Sequence, residues 1–263
     1  MPTWDPADYH HHSEAQRSWA RELVSKLRLT GAERVLDVGC GDGKVTVEIA
    51  ARVPRGTVVG IDSSEEMIRF AREAFPPDRC PGVRFAAKDA RRLDFEGEFD
   101  VVFSNATLHW IVDHRPVLDG IHRALVPGGR ALLQMGGRGN AASILEVLDL
   151  MSAQTDWRPF LGGFACPYGF HAPDTYRVWA EGVGLHPLRL ELIPKDMTQA
   201  GPEGLAAWIR TTWLPYLERI PEPRRSDFAG ELVSRYLERH PLDTEGRTHV
   251  AMVRLEAELA RPA

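Results

Sequence analysis

Nine residues, Val35-Leu36-Asp37-Val38-Gly39-Cys40-Gly41-Asp42-Gly43, constrain this chain more than any others. A short apolar run ends in an acid and then in three glycines at alternate positions. Such a run suits a strand buried on both faces. The glycines let the chain turn sharply and put no side chain between backbone and ligand. The following stretch reads as a helix over 44–53, whose first N–H groups face the same turn. A strand, a glycine turn and a helix N-terminus make a nucleotide-type site in an α/β sheet.

The spacing narrows the ligand. A dinucleotide fingerprint needs G-x-G-x-x-G. Gly39 and Gly41 fit it, but position 44 is Lys44, and the third glycine comes one residue early at Gly43. The loop therefore suits a nucleoside ligand without phosphates, and a nicotinamide oxidoreductase becomes a competing reading with a misplaced glycine.

Later strand ends extend the pattern. Thr57 to Ile61 reads as strand two and ends in Asp62, an acid placed to accept hydrogen bonds from both hydroxyls of a ribose. Ser63-Ser-Glu-Glu66 reads as a capping box, with Ser63 capping a helix that runs to about Phe75 and contains Met67. Val83 to Ala87 reads as strand three and ends at Lys88-Asp89-Ala90. Asp89 suits a turn residue as well as an acceptor for an adenine amine, with the Ala90 N–H meeting a ring nitrogen. Phe99 to Ser104 reads as strand four, followed by Asn105-Ala-Thr-Leu-His109-Trp110.

With these residues in order, the sequence resembles the class I S-adenosylmethionine-dependent methyltransferases. Their first loop reads E/D-x-G-x-G-x-G, matched by Asp37, Gly39, Gly41 and Gly43. The resemblance implies S-adenosyl-L-methionine as cofactor, no metal, and a cofactor site of Asp37, Gly39, Cys40, Gly41, Asp62, Ser63, Met67, Asp89, Ala90, Ser104 and Asn105. Related small-molecule enzymes also close a Tyr and a Gln over the cofactor, matched by Tyr9 and Gln16. Gln16 reads equally as the third helical residue of a capping box begun by Ser13. Enzymes that methylate amino groups of bases carry N/D-P-P-aromatic after strand four. Ser104-Asn105-Ala106-Thr107 has no proline, which argues for a small-molecule acceptor. Leu108-His109-Trp110 resembles the trans-aconitate, malonyl-carrier-protein and juvenile-hormone-acid methyltransferases, which implies that His109 and Trp110 border the substrate.

The remaining chain reads as a helix over 115–125, a Pro127-Gly128-Gly129 turn, a strand over 130–135, a glycine-rich exit at 136–140 and a helix over 141–153. Then come a helix from Pro173 to Gly184, strand six over 188–193, helices over 202–220 and 223–239, and a last strand over 249–259. The resemblance implies an α/β fold: a three-layer, doubly wound, seven-stranded, mostly parallel sheet with the last strand antiparallel. A helical cap lies between strands six and seven, and a helix over 14–28 precedes the sheet. The expected boundaries are 1–30 for the N-terminal segment, 31–200 for the core, 201–245 for the cap and 246–263 for the final strand.

Methyl transfer from a sulfonium is an in-line displacement, in which the protein chiefly positions the nucleophile and excludes water. No nucleophilic triad is needed. A carboxylate nucleophile needs no base; a hydroxyl, amine or carbon acid does, and His109 is the best-placed candidate. The alternative for His109 is a packed histidine. In the cap, Trp208, Arg210, Trp213 and Tyr216 are candidates for the substrate. Trp208 and Arg210 are two apart and cannot share a helix face, whereas Trp213 and Tyr216 can. Arg210 could hold a substrate carboxylate by two parallel hydrogen bonds, or be a surface arginine.

A net charge of −5 and a pI near 6.1 leave no polyanion-binding surface, so a nucleic-acid partner is not expected. The cysteines Cys40, Cys80 and Cys166 form no C-x-x-C, which suits a reducing compartment. No basic start with an apolar run opens the chain, and no run approaches the roughly 20 apolar residues of a membrane span, so a cytoplasmic protein is expected, as monomer or homodimer. Adjacent His10, His11 and His12 point in different directions and do not suit a metal site. The leading reading is O-methylation of a carboxylate on a small molecule. C-methylation of an apolar scaffold and a cofactor-dependent enzyme that transfers no methyl are the alternatives.

Overall fold

A computed structural model describes residues 14–263, with side chains from Trp19 onward. The readings placed on Tyr9, His10 to His12, Ser13 and the Gln16 side chain lie outside the described residues. Two compact units result: a sheet unit of 16–138, 168–193 and 254–263, and a helical unit that includes 139–167 and 194–253.

The sheet unit follows from the alternation of its strands. The sheet has seven strands in the order β3-β2-β1-β4-β5-β7-β6. Strand β1 (Arg34–Val38) pairs in parallel with β2 (Thr57–Asp62) and β4 (Phe99–Asn105); β3 (Val83–Ala87) pairs in parallel with β2. Strand β5 (Leu125–Gly136) runs parallel to β4, and β7 (Thr248–Ala260) runs antiparallel to β5. Strand β6 (His186–Gln199) lies at the edge beyond β7. Successive side chains point to opposite faces of a strand. Val35, Val101 and Leu132 therefore pack with Leu23 of helix α1 (Glu14–Ser25), with Leu27 in the turn after it and with Ile49 of α2 (Lys44–Ala50). Their neighbours Leu36, Val102 and Leu133 pack on the other face with Leu118 and Ile121 of a later helix. Both faces are covered, which gives three layers and explains why the central strands are apolar throughout. Each fully buried Val or Leu contributes about 1.5–3 kcal/mol.

Three boundaries differ from expectation for local reasons. Helix α3 (Glu65–Ala74) is capped by Ser64, whose Oγ accepts the Met67 N–H at 3.2 Å; Ser63 is not the cap. The Asp62 carboxylate takes the Ser64 N–H at 2.9 Å and keeps the chain extended for one more residue. Helix α4 (Arg115–Ala124) ends before Leu125, which already pairs with Phe99 as the start of β5. The next pair is Val101 with Arg130, so Pro127-Gly128-Gly129 is a bulge within the strand rather than a turn before it. Strand β6 also runs beyond the expected 188–193 at both ends.

The helical unit holds α5 (Ala142–Ser152), α6 (Arg158–Leu161), α8 (Gly201–Thr212), α9 (Leu214–Leu217) and α10 (Arg225–Arg239), while α7 (Pro173–Gly182) belongs to the sheet unit. Residues 139–167 group with the helices, although the expected boundaries put them in the core. Trp157 is the reason: its ring meets Phe228 edge-on at 5.0 Å, and its indole N–H donates to Glu231 at 2.8 Å. Among the described residues no helix is long and apolar enough to cross a membrane, and no cluster of metal-binding side chains occurs.

Candidate active site

The site is built at the C-terminal ends of β1, β2 and β4. Asp37 is the first element. Its side chain lies in the sheet interior, 2% exposed, and accepts the Thr46 hydroxyl at 2.6 Å. Burial pushes its carboxyl up to about 7 against the Thr46 hydrogen bond, and the nearby Asp62 charge adds to the rise. This buried acid is one that a cationic ligand group would return to its ionised form.

Gly39 then brings two loops together. Its φ is +80°, and a Cβ on it would lie 2.1 Å from the Thr107 side chain. The Thr107 hydroxyl lies 3.1 Å from the Gly39 carbonyl oxygen and 3.1 Å from that of Asn105. Ser104 ties the same strands by donating to the Val38 carbonyl at 2.7 Å. Ala106 sits between them at φ 53°, a strained position for a residue with a Cβ, and donates its N–H to Gln134 at 2.8 Å.

Gly41 is different. Its φ is +52° and a Cβ there would meet nothing within 4 Å, so this corner of the loop opens on free space. The Gly41 N–H donates to Asp62 at 3.1 Å. Asp62 thus accepts from Gly41 on one oxygen and from Ser64 on the other, with a further backbone hydrogen bond from Ser63. Burial raises its carboxyl despite the Ser64, Gly41 and Ser63 backbone hydrogen bonds. Cys40 sits in the apolar cluster with Ile68, Ala71 and Phe85, where burial pushes its thiol well above the ordinary value. Its side chain is a packing group, so only its backbone can serve the loop.

Asp89 caps the short 3₁₀ turn 90–92 by accepting the Arg91 N–H at 2.9 Å. Its carboxylate also takes the Arg91 guanidinium through Nε at 3.0 Å, which holds it below the usual range. Met67 and Ala90 are buried; Ser63 is exposed.

Beyond β4, a second 3₁₀ turn (Leu108–Trp110) carries His109 and Trp110. The His109 ring centroid lies 5.5 Å from Trp110, 6.1 Å from Phe170 and 6.4 Å from Tyr168. Tyr168 and Phe170 stack at 5.3 Å, and the Gly169 N–H donates to the His109 carbonyl at 2.9 Å. His109 Nδ1 accepts the Gly136 N–H at 3.5 Å, the outer limit of a hydrogen bond. Burial, followed by the charges of Arg254 and His114, pushes the imidazole down to about 3. It is neutral at physiological pH and a weak base, which fits the packed histidine better than the general base.

In the helical unit, Trp208 meets Trp213 edge-on at 6.0 Å, Trp213 lies 5.9 Å from Tyr216, and Tyr216 meets Phe164 at 5.1 Å. All three candidates are buried core residues of that unit. Arg210 is exposed and apart from them. Sequence reasoning missed Thr46, Thr107, Tyr168 and Phe170, none of which stands in a motif of its own.

The open corner at Gly41, the buried Asp37 and the half-buried Asp62 suit a nucleoside that carries a positive charge. The comparisons agree. The description "Methyltransferase domain" matches residues 35–129. A trans-aconitate 2-methyltransferase of Deinococcus radiodurans is 32% identical over 83% of this chain and 84% of its own length. That of Variovorax paradoxus is 29% identical over 97% of each. A phosphoethanolamine N-methyltransferase of Haemonchus contortus, solved with phosphomonomethylethanolamine and S-adenosylhomocysteine, shares the fold with a TM-score of 0.62 at 20% identity, over 98% of this chain and 57% of that one. The chain therefore belongs to the class I S-adenosylmethionine-dependent methyltransferases, in the group that contains the trans-aconitate 2-methyltransferases.

Proposed function

We propose that the protein methylates a carboxylate oxygen of a small organic acid and releases a methyl ester. The observation that carries this reading is the His109 ring: it is buried, neutral and weakly basic, pushed down to about 3. A carboxylate is already ionised at neutral pH and attacks without losing a proton. An amine, hydroxyl or carbon acid must lose one, and His109 is poorly suited to take it. The names of the Deinococcus and Variovorax relatives point to the same class of acceptor.

Bound S-adenosylmethionine supplies a methyl group already activated by its positive sulfur. The chain's own residues do the rest. Asp37 would lie on the ligand's ammonium side. Asp62 would accept from the ribose hydroxyls with the acceptor capacity that the Gly41, Ser63 and Ser64 N–H groups leave. Asp89 turns from Arg91 to the adenine amine, with the Ala90 N–H beside it, and Met67 adds apolar surface. Ser104 and Asn105 hold the β4 end where the acceptor must sit. Trp110, Tyr168 and Phe170 would keep water from that side. The test is turnover with a panel of carboxylic acids, carbon acids and amines, read as S-adenosylhomocysteine and as methylated product by mass spectrometry. A product that mild alkali hydrolyses is an ester and supports the reading. An alkali-stable product from the preferred acceptor would overturn it in favour of carbon methylation.

A further inference from the structure

Strand β6 leaves one side of the sheet open. Among the described residues it has a neighbouring strand, β7, on one flank only, so its other flank presents the N–H and C=O groups of an edge. Edges are usually kept short, bulged or lined with charge. Strand β6 is 14 residues long and carries Leu188, 55% exposed, and Leu192, 37% exposed. Both share a strand face with Leu190, which packs against the apolar cluster of the sheet unit. Pro187 and Pro194 bound this run. Neither has an N–H to give, so a further strand can pair fully only with 188–193.

The order of side chains within that window selects the partner. Leu188-Arg189-Leu190-Glu191-Leu192 reads the same in both directions, except that arginine and glutamate exchange. A second copy turned antiparallel about Leu190 sets Leu188 opposite Leu192, Leu190 opposite itself and Arg189 opposite Glu191 at two symmetric places. Neighbouring registers fail. A slip of one residue opposes leucines to charges, and a slip of two opposes Arg189 to Arg189 or Glu191 to Glu191. Arg189 already pairs with Glu256 and lies 3.6 Å from Glu258, both on its own β7, and 3.1 Å from Glu191. The β7 acids hold the arginine in place. Glu191, whose side chain is 56% exposed, can turn outward to Arg189 of a second copy.

We propose that β6 is the interface of a symmetric homodimer, in which two copies of the chain pair antiparallel through Leu188–Leu192 and join their sheets into one. A two-fold interface must be complementary to itself, and this run is; the strand of a different protein would need no such symmetry. Strand β3, at the opposite edge, carries Arg84 without an acid and lacks the pattern, so pairing closes at two copies instead of growing into a filament. A contact of one short strand per copy is small, and the dimer is accordingly weak and reversible. Nothing in it depends on which acceptor is methylated.

The test is sedimentation equilibrium of the full chain across the micromolar range. The wild type should dimerise reversibly, with no larger species. Glu191→Arg opposes arginine to arginine at both symmetric places, and Leu188→Lys sets a charge against leucine. Each should weaken the dimer by roughly tenfold or more. Melting temperatures should stay near the wild type, because both side chains are exposed. Disulfides read the register, in a chain with Cys80→Ser and Cys166→Ser that removes the two less buried thiols. Leu188→Cys mixed with Leu192→Cys should crosslink under mild oxidation, since opposed Cα atoms lie about 4.5–5.5 Å apart, within disulfide reach. Either variant alone should not, since its cysteines would stand roughly 13 Å apart along the paired strands. If Leu192→Cys does not fold, Leu190→Cys takes its place and should crosslink to itself. A chain that stays monomeric throughout overturns the proposal and leaves the edge to a different protein or to none. A dimer that survives both substitutions, that crosslinks from Leu188→Cys or Leu192→Cys alone, or that grows into larger species makes its contact elsewhere or in another register and also overturns it.

Discussion

Asp37→Asn tests the electrostatics of the donor side. Burial lifts Asp37 from an ordinary 3.8 to about 7. At 1.36 kcal/mol per pH unit that rise corresponds to about 4 kcal/mol, an order-of-magnitude figure. The sign follows from linkage. An acid whose folded pKa lies above its unfolded value favours the folded state only while protonated. The contribution is intact below about pH 4, declines as the pH rises, and is wholly lost above about 7. Ligand-free protein should therefore lose stability between pH 4 and 7 relative to Asp37→Asn. At pH 8 the variant should be as stable as the wild type or more so, by up to about 4 kcal/mol, since asparagine keeps an acceptor for Thr46. Cofactor binding should show the converse. A cationic ligand favours ionised Asp37, so the wild-type Kd should weaken by up to about tenfold per pH unit below 7 and level off above it. Asp37→Asn should lose that slope and bind roughly 10- to 100-fold more weakly at pH 8. Differential scanning fluorimetry and calorimetry across pH 5–9 measure both. A variant that is less stable at pH 8, with unchanged cofactor affinity and unchanged pH slope, would refute the reasoning.

Two neighbouring glycines should respond oppositely. Gly39→Ala puts a Cβ 2.1 Å from Thr107 and should lower stability in urea melts by more than about 2 kcal/mol. Gly41→Ala meets nothing within 4 Å and should fold, at a cost of about 1–2 kcal/mol for its φ, yet bind cofactor at least tenfold more weakly because the methyl fills the open corner. Asp62→Ala should weaken cofactor binding by about 1–3 kcal/mol in calorimetry; unchanged affinity would remove Asp62 from the ribose. His109→Phe should keep ester formation within about tenfold, with no ionisation near pH 6.5 in the kcat profile, whereas a loss of a thousandfold would restore the general base.

The parts of the site legible in the sequence are those that backbone chemistry encodes locally. Gly39 and Gly41 announce positive φ in a run that needs it, and Asp62 and Asp89 stand at strand ends that alternation alone delimits. What escaped depends on partners distant in sequence. Ser64 rather than Ser63 caps α3 because Asp62 reaches forward to its N–H. Pro127-Gly128-Gly129 looks like a turn but is a bulge, because Leu125 already pairs with Phe99. Residues 139–167 join the helical unit because Trp157 finds Phe228 and Glu231 more than 70 positions later. Tyr168 and Phe170 flank a glycine in a stretch without periodicity, and the Gly169 hydrogen bond to His109, with the Gly137–His171 bridge, brings them to the site.

The charges at the catalytic end of the sheet unit divide by strand, and the division argues for one reaction type over others. Acidic groups, Asp37 and Asp62, stand at β1 and β2. The neutral His109 follows β4, and the buried cation Arg254 stands on β7. Esterification joins a cationic donor to an anionic acceptor and leaves two neutral reacting centres. A reaction that destroys charge gains from a dry site, because the transition state needs less solvation than the separated ions. Methylation of a neutral amine instead moves the positive charge onto the acceptor and keeps a charge in the dry site. Carbon methylation needs a proton removed by a group that His109, pushed down to about 3, does not supply. The buried setting thus penalises the alternatives more than it penalises the ester.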